Sequence, residues 1–134
     1  LDQFMKHDLR GRYYLRYCDD FATVSADRKH LVAIVSAAND FLSSRLRLDI
    51  HPDKVSIRKL SQGIDFLGYV VLPHYIVLRT KTKRRMFSKL IRKKQQHEME
   101  EITEEEFFQS FNSYLGILKH CKGFKLSQNL FRRL

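Results

Sequence analysis

Two adjacent carboxylates, Asp19 and Asp20, sit in the middle of YYLRYCDDFATVS, between apolar and aromatic residues that otherwise read as two strands. Asp is a poor strand former, and neighbouring carboxylates repel each other. A hairpin tip is a place where such residues can project into a cleft while the strands stay rigid. Two carboxylates at one point suit a hard divalent cation. Mg²⁺, or Mn²⁺ in its place, takes oxygen ligands, keeps several waters, and is usually held by one or two carboxylates plus substrate phosphates. A metal pair of this kind aligns an attacking hydroxyl and a leaving oxygen for in-line phosphoryl transfer. The cation also relieves the repulsion between the two acids. Taken alone, paired acids at a turn are far more often plain solvated turn residues.

Charge supplies the second chemical signal. Lys and Arg number 25 against 15 Asp and Glu, a net charge of +10. Most of the surplus lies in residues 79–134, where RTKTKRRMFSKLIRKK, from Arg79 to Lys94, holds nine basic residues and no acidic one. Such a block attracts a polyanion and releases its counterions, so nucleic acid is the leading partner, with a solvated helix face as the bland alternative. Lys83, Arg84, Arg85, Lys89, Arg92 and Lys93 are the residues expected on the nucleic-acid backbone rather than on base edges. Hydrophobic residues at 43% and ten Phe argue for a folded chain with a real core. No apolar run is long enough for a membrane span or a signal peptide, so no membrane partner is expected. Cys18 and Cys121 are far apart and lack metal spacing, which fits a reducing cytoplasm and neither a disulfide nor a zinc site.

The elements that must position these residues follow from periodicity. Leu1, Phe4, Met5 and Leu9 share one helical face, and Gly11 ends that helix. The chain begins inside this helix without a cap, as a truncated fragment does. Strands are expected at roughly 13–17 and 21–25, joined across Cys18-Asp19-Asp20. Asp27 caps a long helix carrying Leu31, Ile34, Val35, Ala38, Phe41, Leu42 and Leu46 at spacings of three and four. HPDK is a turn, and VSIRKL alternates in part as a half-buried strand. IDFLGYVVL and YIVLR make a second hairpin across Pro73-His74. Helices follow from about Lys83 to His97 and from Thr103, which has capping-box spacing to Glu106, to about Cys121. Phe107, Phe111, Tyr114, Ile117 and Leu118 form an apolar stripe on the latter. A short helical tail starts at Phe124. The fold class is α+β, with the change from mixed to helical texture near residue 80.

The motifs in their order carry more than any one of them. Tyr-Cys-Asp-Asp between two apolar strands resembles the Tyr-x-Asp-Asp box of reverse transcriptases. LRYCDDF is similar to the Arg-Tyr-x-Asp-Asp-Phe of the bacterial, group II intron-like branch, and LDQF to the end of the helix before it. HPDKVSI resembles that family's lysine-bearing palm loop, GIDFLGYVV its Phe-Leu-Gly-Tyr primer-grip hairpin, and SYLGILKH its thumb helix. The resemblance implies a partial polymerase palm over residues 1–79, with antiparallel hairpins backed by a long helix, and a helical thumb over 80–134. It implies that Asp19 is a direct ligand of catalytic Mg²⁺ and Asp20 a weaker or supporting one. Tyr17 would pack under the primer end, Cys18 would sit where the nascent pair presses on the hairpin, and Lys54 would lie near the incoming triphosphate. Phe66, Leu67, Gly68 and Tyr69 would form the primer grip, with Gly68 letting the primer backbone come close. Against these stand blander readings: Cys18 as a small hydrophobe, Lys54 as a solvated turn lysine, and Phe66 to Tyr69 as strand core.

The function implied is RNA-directed DNA polymerisation, with an RNA template, a DNA primer and dNTPs as partners and transfer from dNTP to a primer 3′-OH. Palms of this family use a further aspartate from an earlier strand, and no residue before Leu1 supplies it. The expectation is therefore a palm's C-terminal half plus thumb, of retron or diversity-generating type. It should bind duplex without polymerising alone, and should self-associate through an open sheet edge. The competing expectation is a non-catalytic RNA-binding module that kept the fold and the basic helix. Intact Asp19 and Asp20 count against it, because a pure binder has no use for paired anions facing phosphates.

Overall fold

The computed structural model describes residues 1–133, so the final residue of the expected 80–134 region lies outside the described residues. The chain is α+β and divides into two compact units, residues 1–58 and Lys59 onward.

In the first unit, a π-type helical turn, Phe4–Asp8, presents Met5 to the core and stacks Phe4 on Phe41 at 4.4 Å. It ends where Gly11 N–H donates to the Met5 carbonyl at 2.8 Å; a Cβ on Gly11 would itself sit 2.8 Å from that oxygen. Glycine is what lets the chain leave the helix this closely. Strands β1 (Tyr13–Tyr17) and β2 (Asp20–Val24) then pair antiparallel, with Tyr13 opposite Val24 and Tyr17 opposite Asp20. Helix α1 (Arg28–Phe41) starts at the expected cap, where Lys29 N–H donates to Asp27 Oδ1 at 2.8 Å, and runs on through a π-type turn, Leu42–Leu46. Met5, Ile34 and Ala38 are buried at the centre, with Leu1, Leu9, Tyr14, Phe21 and Ile50 packed around them. Alternation along β1 therefore puts Tyr14 inward and leaves Tyr13, Leu15 and Tyr17 exposed on the other face. The HPDK turn is a single 3-10 turn, Pro52–Lys54.

VSIRKL is not a strand. Residues 55–59 form no ladder with any described residue, Val55 and Leu60 are exposed, and the segment ends in a 3-10 turn, Leu60–Gln62. Its partial alternation resembles a half-buried strand, but a strand exists only where another backbone takes up its N–H and C=O groups.

The second unit opens with a three-stranded antiparallel meander, β3 (Ile64–Phe66), β4 (Tyr69–Val71) and β5 (Ile76–Leu78). The expected hairpin across Pro73-His74 is present between β4 and β5, but Phe-Leu-Gly-Tyr contains a turn of its own. Leu67 and Gly68 both hold positive φ, 50° and 84°, as a type I′ hairpin turn requires. Helices α2 (Thr80–Glu98), α3 (Glu104–Lys119) and α4 (Phe124–Arg133) follow. The capping box is realised in both directions: Glu106 N–H donates to Thr103 Oγ1 at 3.2 Å, and Thr103 N–H to Glu106 Oε2 at 2.9 Å. Leu78, Met86, Leu90, Phe111, Leu118 and Leu130 form one core, with Tyr69 packed against it. Strand residues and helix residues share that core, which is why the units divide at Arg58–Lys59 and not at the change of texture near residue 80. Among the described residues, no helix is long and apolar enough to cross a membrane.

Leu90 is fully buried at the centre of the second core. Leu90→Ala should destabilise this unit by about 2–5 kcal/mol, the range for a buried leucine whose cavity only partly collapses. Urea unfolding followed by helical circular dichroism measures it, and a loss under about 1 kcal/mol would show that this core is loosely packed.

Candidate metal centre and nucleic-acid interface

The β1–β2 hairpin closes with only two residues, Cys18 and Asp19, because Tyr17 and Asp20 already face each other in the ladder. Strand β2 therefore begins at Asp20, one residue earlier than the sequence suggests. Two-residue hairpins need positive φ at the first or both central positions so that the turn matches the strand twist. Cys18 supplies it with φ 54°, although it is not glycine. A non-glycine residue held there costs on the order of 1–2 kcal/mol.

Tyr17, Cys18, Asp19 and Asp20 are all exposed, and the two carboxylates make no hydrogen bond or ion pair with a described residue. The cation nearest to them in sequence is committed elsewhere. Arg16 Nε donates to Asp2 Oδ1 at 2.7 Å and a terminal nitrogen donates to Asp2 Oδ2 at 2.8 Å, a two-pronged pair. The other terminal nitrogen donates to the Cys18 carbonyl at 3.0 Å, and the Tyr14 hydroxyl donates to Asp2 Oδ1 at 2.8 Å. Hydrogen bonds from Arg16 and then from Tyr14 hold the Asp2 carboxyl down to about 2, and the Arg16 guanidinium is pushed up by the same bond. Burial, followed by the bond to Asp2, raises the Tyr14 phenol to about 12. Sequence reasoning missed this cluster. Asp2 and Arg16 lie 14 positions apart in different elements, and the only sign was an arginine beside the paired acids.

By donor chemistry Asp19 and Asp20 fit a hard divalent cation: both are exposed carboxylates, adjacent on one rigid tip and without a competing protein cation. Among the described residues, no group of three His, Cys, Asp or Glu side chains comes together as a ligand set. Lys54 is exposed on the Pro52–Lys54 turn of the same unit and makes no hydrogen bond or ion pair with Asp19 or Asp20.

The remaining expected residues lie in the second unit. Leu67 is exposed at the β3–β4 turn, while Phe66, Gly68 and Tyr69 are half-buried. What the missing Cβ of Gly68 admits here is Thr82 in the first turn of α2, whose Oγ1 would lie 3.2 Å from it. Tyr69 donates its hydroxyl to the Ile117 carbonyl at 3.1 Å, and burial raises its phenol above the ordinary range.

The six cations of α2 expected on a nucleic-acid backbone are divided by the helix. At about 100° per residue, Arg84, Arg85, Lys89 and Arg92 fall within an arc of about 140°, opposite the buried Met86 and Leu90, and all four are exposed. None of the four is paired with a described carboxylate. Lys83 and Lys93 flank the buried stripe and are half-buried; Lys83 and Arg84 line a shallow groove with Phe87 of α2 and Leu126 and Asn129 of α4. Beyond the cationic face the sign reverses: Lys94 pairs with Glu98, and Glu100, Glu101 and Glu104–Glu106 crowd the turn into α3. The acids in the first turn of α3 complement the helix dipole.

No family model and no curated protein matches the chain.

Because the Asp2 carboxyl is depressed from its usual 3.8 to about 2, its contribution to holding the first unit is full above pH 3.8. That contribution is lost as the pH falls through about 2. Titration of the Asp2 carboxyl carbon by NMR should show a midpoint near 2, rising toward the usual carboxylate range in Arg16→Gln. An unshifted midpoint in that variant would remove Arg16 as the cause.

Proposed function

We propose that this chain is part of an RNA-directed DNA polymerase of the bacterial reverse transcriptase kind, transferring a nucleotide from dNTP to a primer 3′-OH on an RNA template. The observation that carries the proposal is the hairpin tip. Two adjacent carboxylates stand exposed at the hairpin tip, Asp19 in the turn and Asp20 at the start of β2, while the neighbouring arginine pairs with Asp2 and not with them. Paired exposed carboxylates without a protein counter-ion suit a hard divalent cation. The order of the Tyr-Cys-Asp-Asp, HPDK, Phe-Leu-Gly-Tyr and SYLGILKH motifs along the chain supports the same reading.

In this reading Asp19 and Asp20 hold Mg²⁺, which when bound supplies positive charge to the phosphates and lowers the pKa of the attacking hydroxyl. The protein's own contribution is placement. Tyr17 precedes the turn on the exposed face of β1 and offers its ring to the primer end. Lys54 offers a mobile cation suited to departing pyrophosphate. Arg84, Arg85, Lys89 and Arg92 neutralise successive backbone phosphates without reading bases, so binding tolerates any template sequence. Phe66 to Tyr69 act as a rigid support whose exposed tip, Leu67, is the part that reaches a ligand.

In an extension-competent polypeptide containing residues 1–134, Asp19→Asn keeps the shape and removes ligand charge. Mg²⁺-dependent primer extension on RNA should fall by roughly two orders of magnitude or more, as for loss of a charge that acts in the transition state. Duplex binding without metal should hold or improve. Near-normal extension would sink the proposal, and the non-catalytic RNA-binding alternative would then account for the basic helix.

Changing Arg84 and Arg85 together to Glu should weaken binding of the chain to all RNA–DNA duplexes alike. The slope of log affinity against log salt should drop by roughly two units, about one per lost phosphate contact. Fluorescence anisotropy over a salt series measures both; loss confined to one duplex sequence would mean that these residues read bases.

A further inference from the structure

The carbonyls of the two central residues of a two-residue turn are not used by the ladder. In the β1–β2 hairpin Cys18 O is one of them, and no backbone N–H of a described residue donates to it. Its donor is the Arg16 guanidinium, at 3.0 Å. The same planar group is fixed at its other side by both oxygens of Asp2, at 2.7 and 2.8 Å, and Asp2 is fixed in turn by Tyr14, which packs on the first core. A guanidinium gripped along one edge is fixed in orientation, so the N–H groups of its third nitrogen point in set directions. The direction of the one that meets Cys18 O sets the plane of the Cys18–Asp19 peptide, and with it where Asp19 leaves the turn.

We infer that Asp2, acting through Arg16, is a positioning residue for the metal-binding carboxylates Asp19 and Asp20. The inference rests on the reading of those two residues as metal ligands. Asp2 serves them in two ways. It aims the guanidinium at the Cys18 carbonyl, which locks a turn that Cys18 alone, at a positive φ, would hold poorly. It also occupies the positive charge nearest in sequence to the paired acids, which would otherwise compete with a cation for Asp19 and Asp20. An ordinary exposed ion pair explains neither the third bond to the turn nor the anchoring by Tyr14, and such pairs contribute little to stability.

The charge-exchanged double variant separates the two accounts. Asp2→Arg with Arg16→Asp restores an ion pair, but an aspartate at position 16 has no N–H to give to the Cys18 carbonyl. Mn²⁺ is the probe, read on the whole chain as paramagnetic broadening of the amides of residues 18–21 by NMR, beside thermal unfolding. Asp2→Asn and Arg16→Lys should each lower Mn²⁺ affinity at the turn by about tenfold, in the range seen for residues that orient metal ligands. Both should also lower the heteronuclear NOE of the Cys18 and Asp19 amides, while amide dispersion elsewhere stays that of the folded chain. The exchanged variant should recover thermal stability and fail to recover Mn²⁺ affinity. Full recovery of both, or an unchanged turn and affinity in Asp2→Asn, would overturn the positioning role and leave the metal reading standing. Absence of Mn²⁺ broadening at residues 18–21 in the unaltered chain would overturn the metal reading itself.

Discussion

Like charges side by side at the end of a two-residue turn are the constraint from which the first unit is built. The ladder runs to Tyr17 and Asp20, so the turn has no slack in which Asp19 could carry its charge away from that of Asp20. Unfavourable φ at Cys18 and mutual repulsion of the acids both push the tip toward opening. Opposing them are the core that Tyr14 and Phe21 share with Met5, Ile34 and Ala38, and the three-way grip of Arg16. The unit thus concentrates strain at its exposed end and rigidity behind it, a distribution common where a backbone holds ligands in a fixed pose. The β3–β4 turn repeats the device with Leu67 and Gly68, and its glycine is packed against Thr82 of α2.

In the second unit a single helix answers two demands. Helix α2 must bury enough apolar surface to join the sheet to α3 and α4, and it does so with Met86 and Leu90 one turn apart. The rest of its circumference is free to be basic, and the long stems of Lys83 and Lys93 cover the margins of the buried stripe. A cationic face of this kind repels itself, so it is affordable only on a helix whose stability comes from packing.

Much of this was legible from the sequence because it is local. The Asp27 cap, the Thr103–Glu106 box, the periodicity of α1 and, to within one residue, the reversal expected across Cys18-Asp19-Asp20 each depend on residues within a few positions of one another. The features that escaped depend on residues brought together by folding. VSIRKL has strand-like alternation, but whether a neighbouring backbone exists to pair with it is not encoded in those six residues. The Leu67-Gly68 reversal was hidden because leucine rarely takes the left-handed conformation, so the run read as one strand. The unit edge at Arg58–Lys59 follows from Tyr69 and Leu78 packing with helical residues, which no change of composition marks. In the candidate site the two aspartates announced themselves by type, whereas Asp2 gained its part only through its distance from Arg16 in space.

The opposition of charge along α2 has a consequence for encounters in solution. Arg84, Arg85, Lys89 and Arg92 precede the pairing of Lys94 with Glu98, after which Glu100, Glu101 and the acids of α3 follow. A 19-residue helix is about 28 Å long, which is more than three times the screening length of about 8 Å in physiological salt. The unit is therefore an electric dipole whose poles are sensed separately. In the field of a polyanion it experiences a torque before any contact forms, and it turns its basic pole inward and its acidic turn outward. Orientation is then settled during approach, and fewer collisions are wasted on the wrong face.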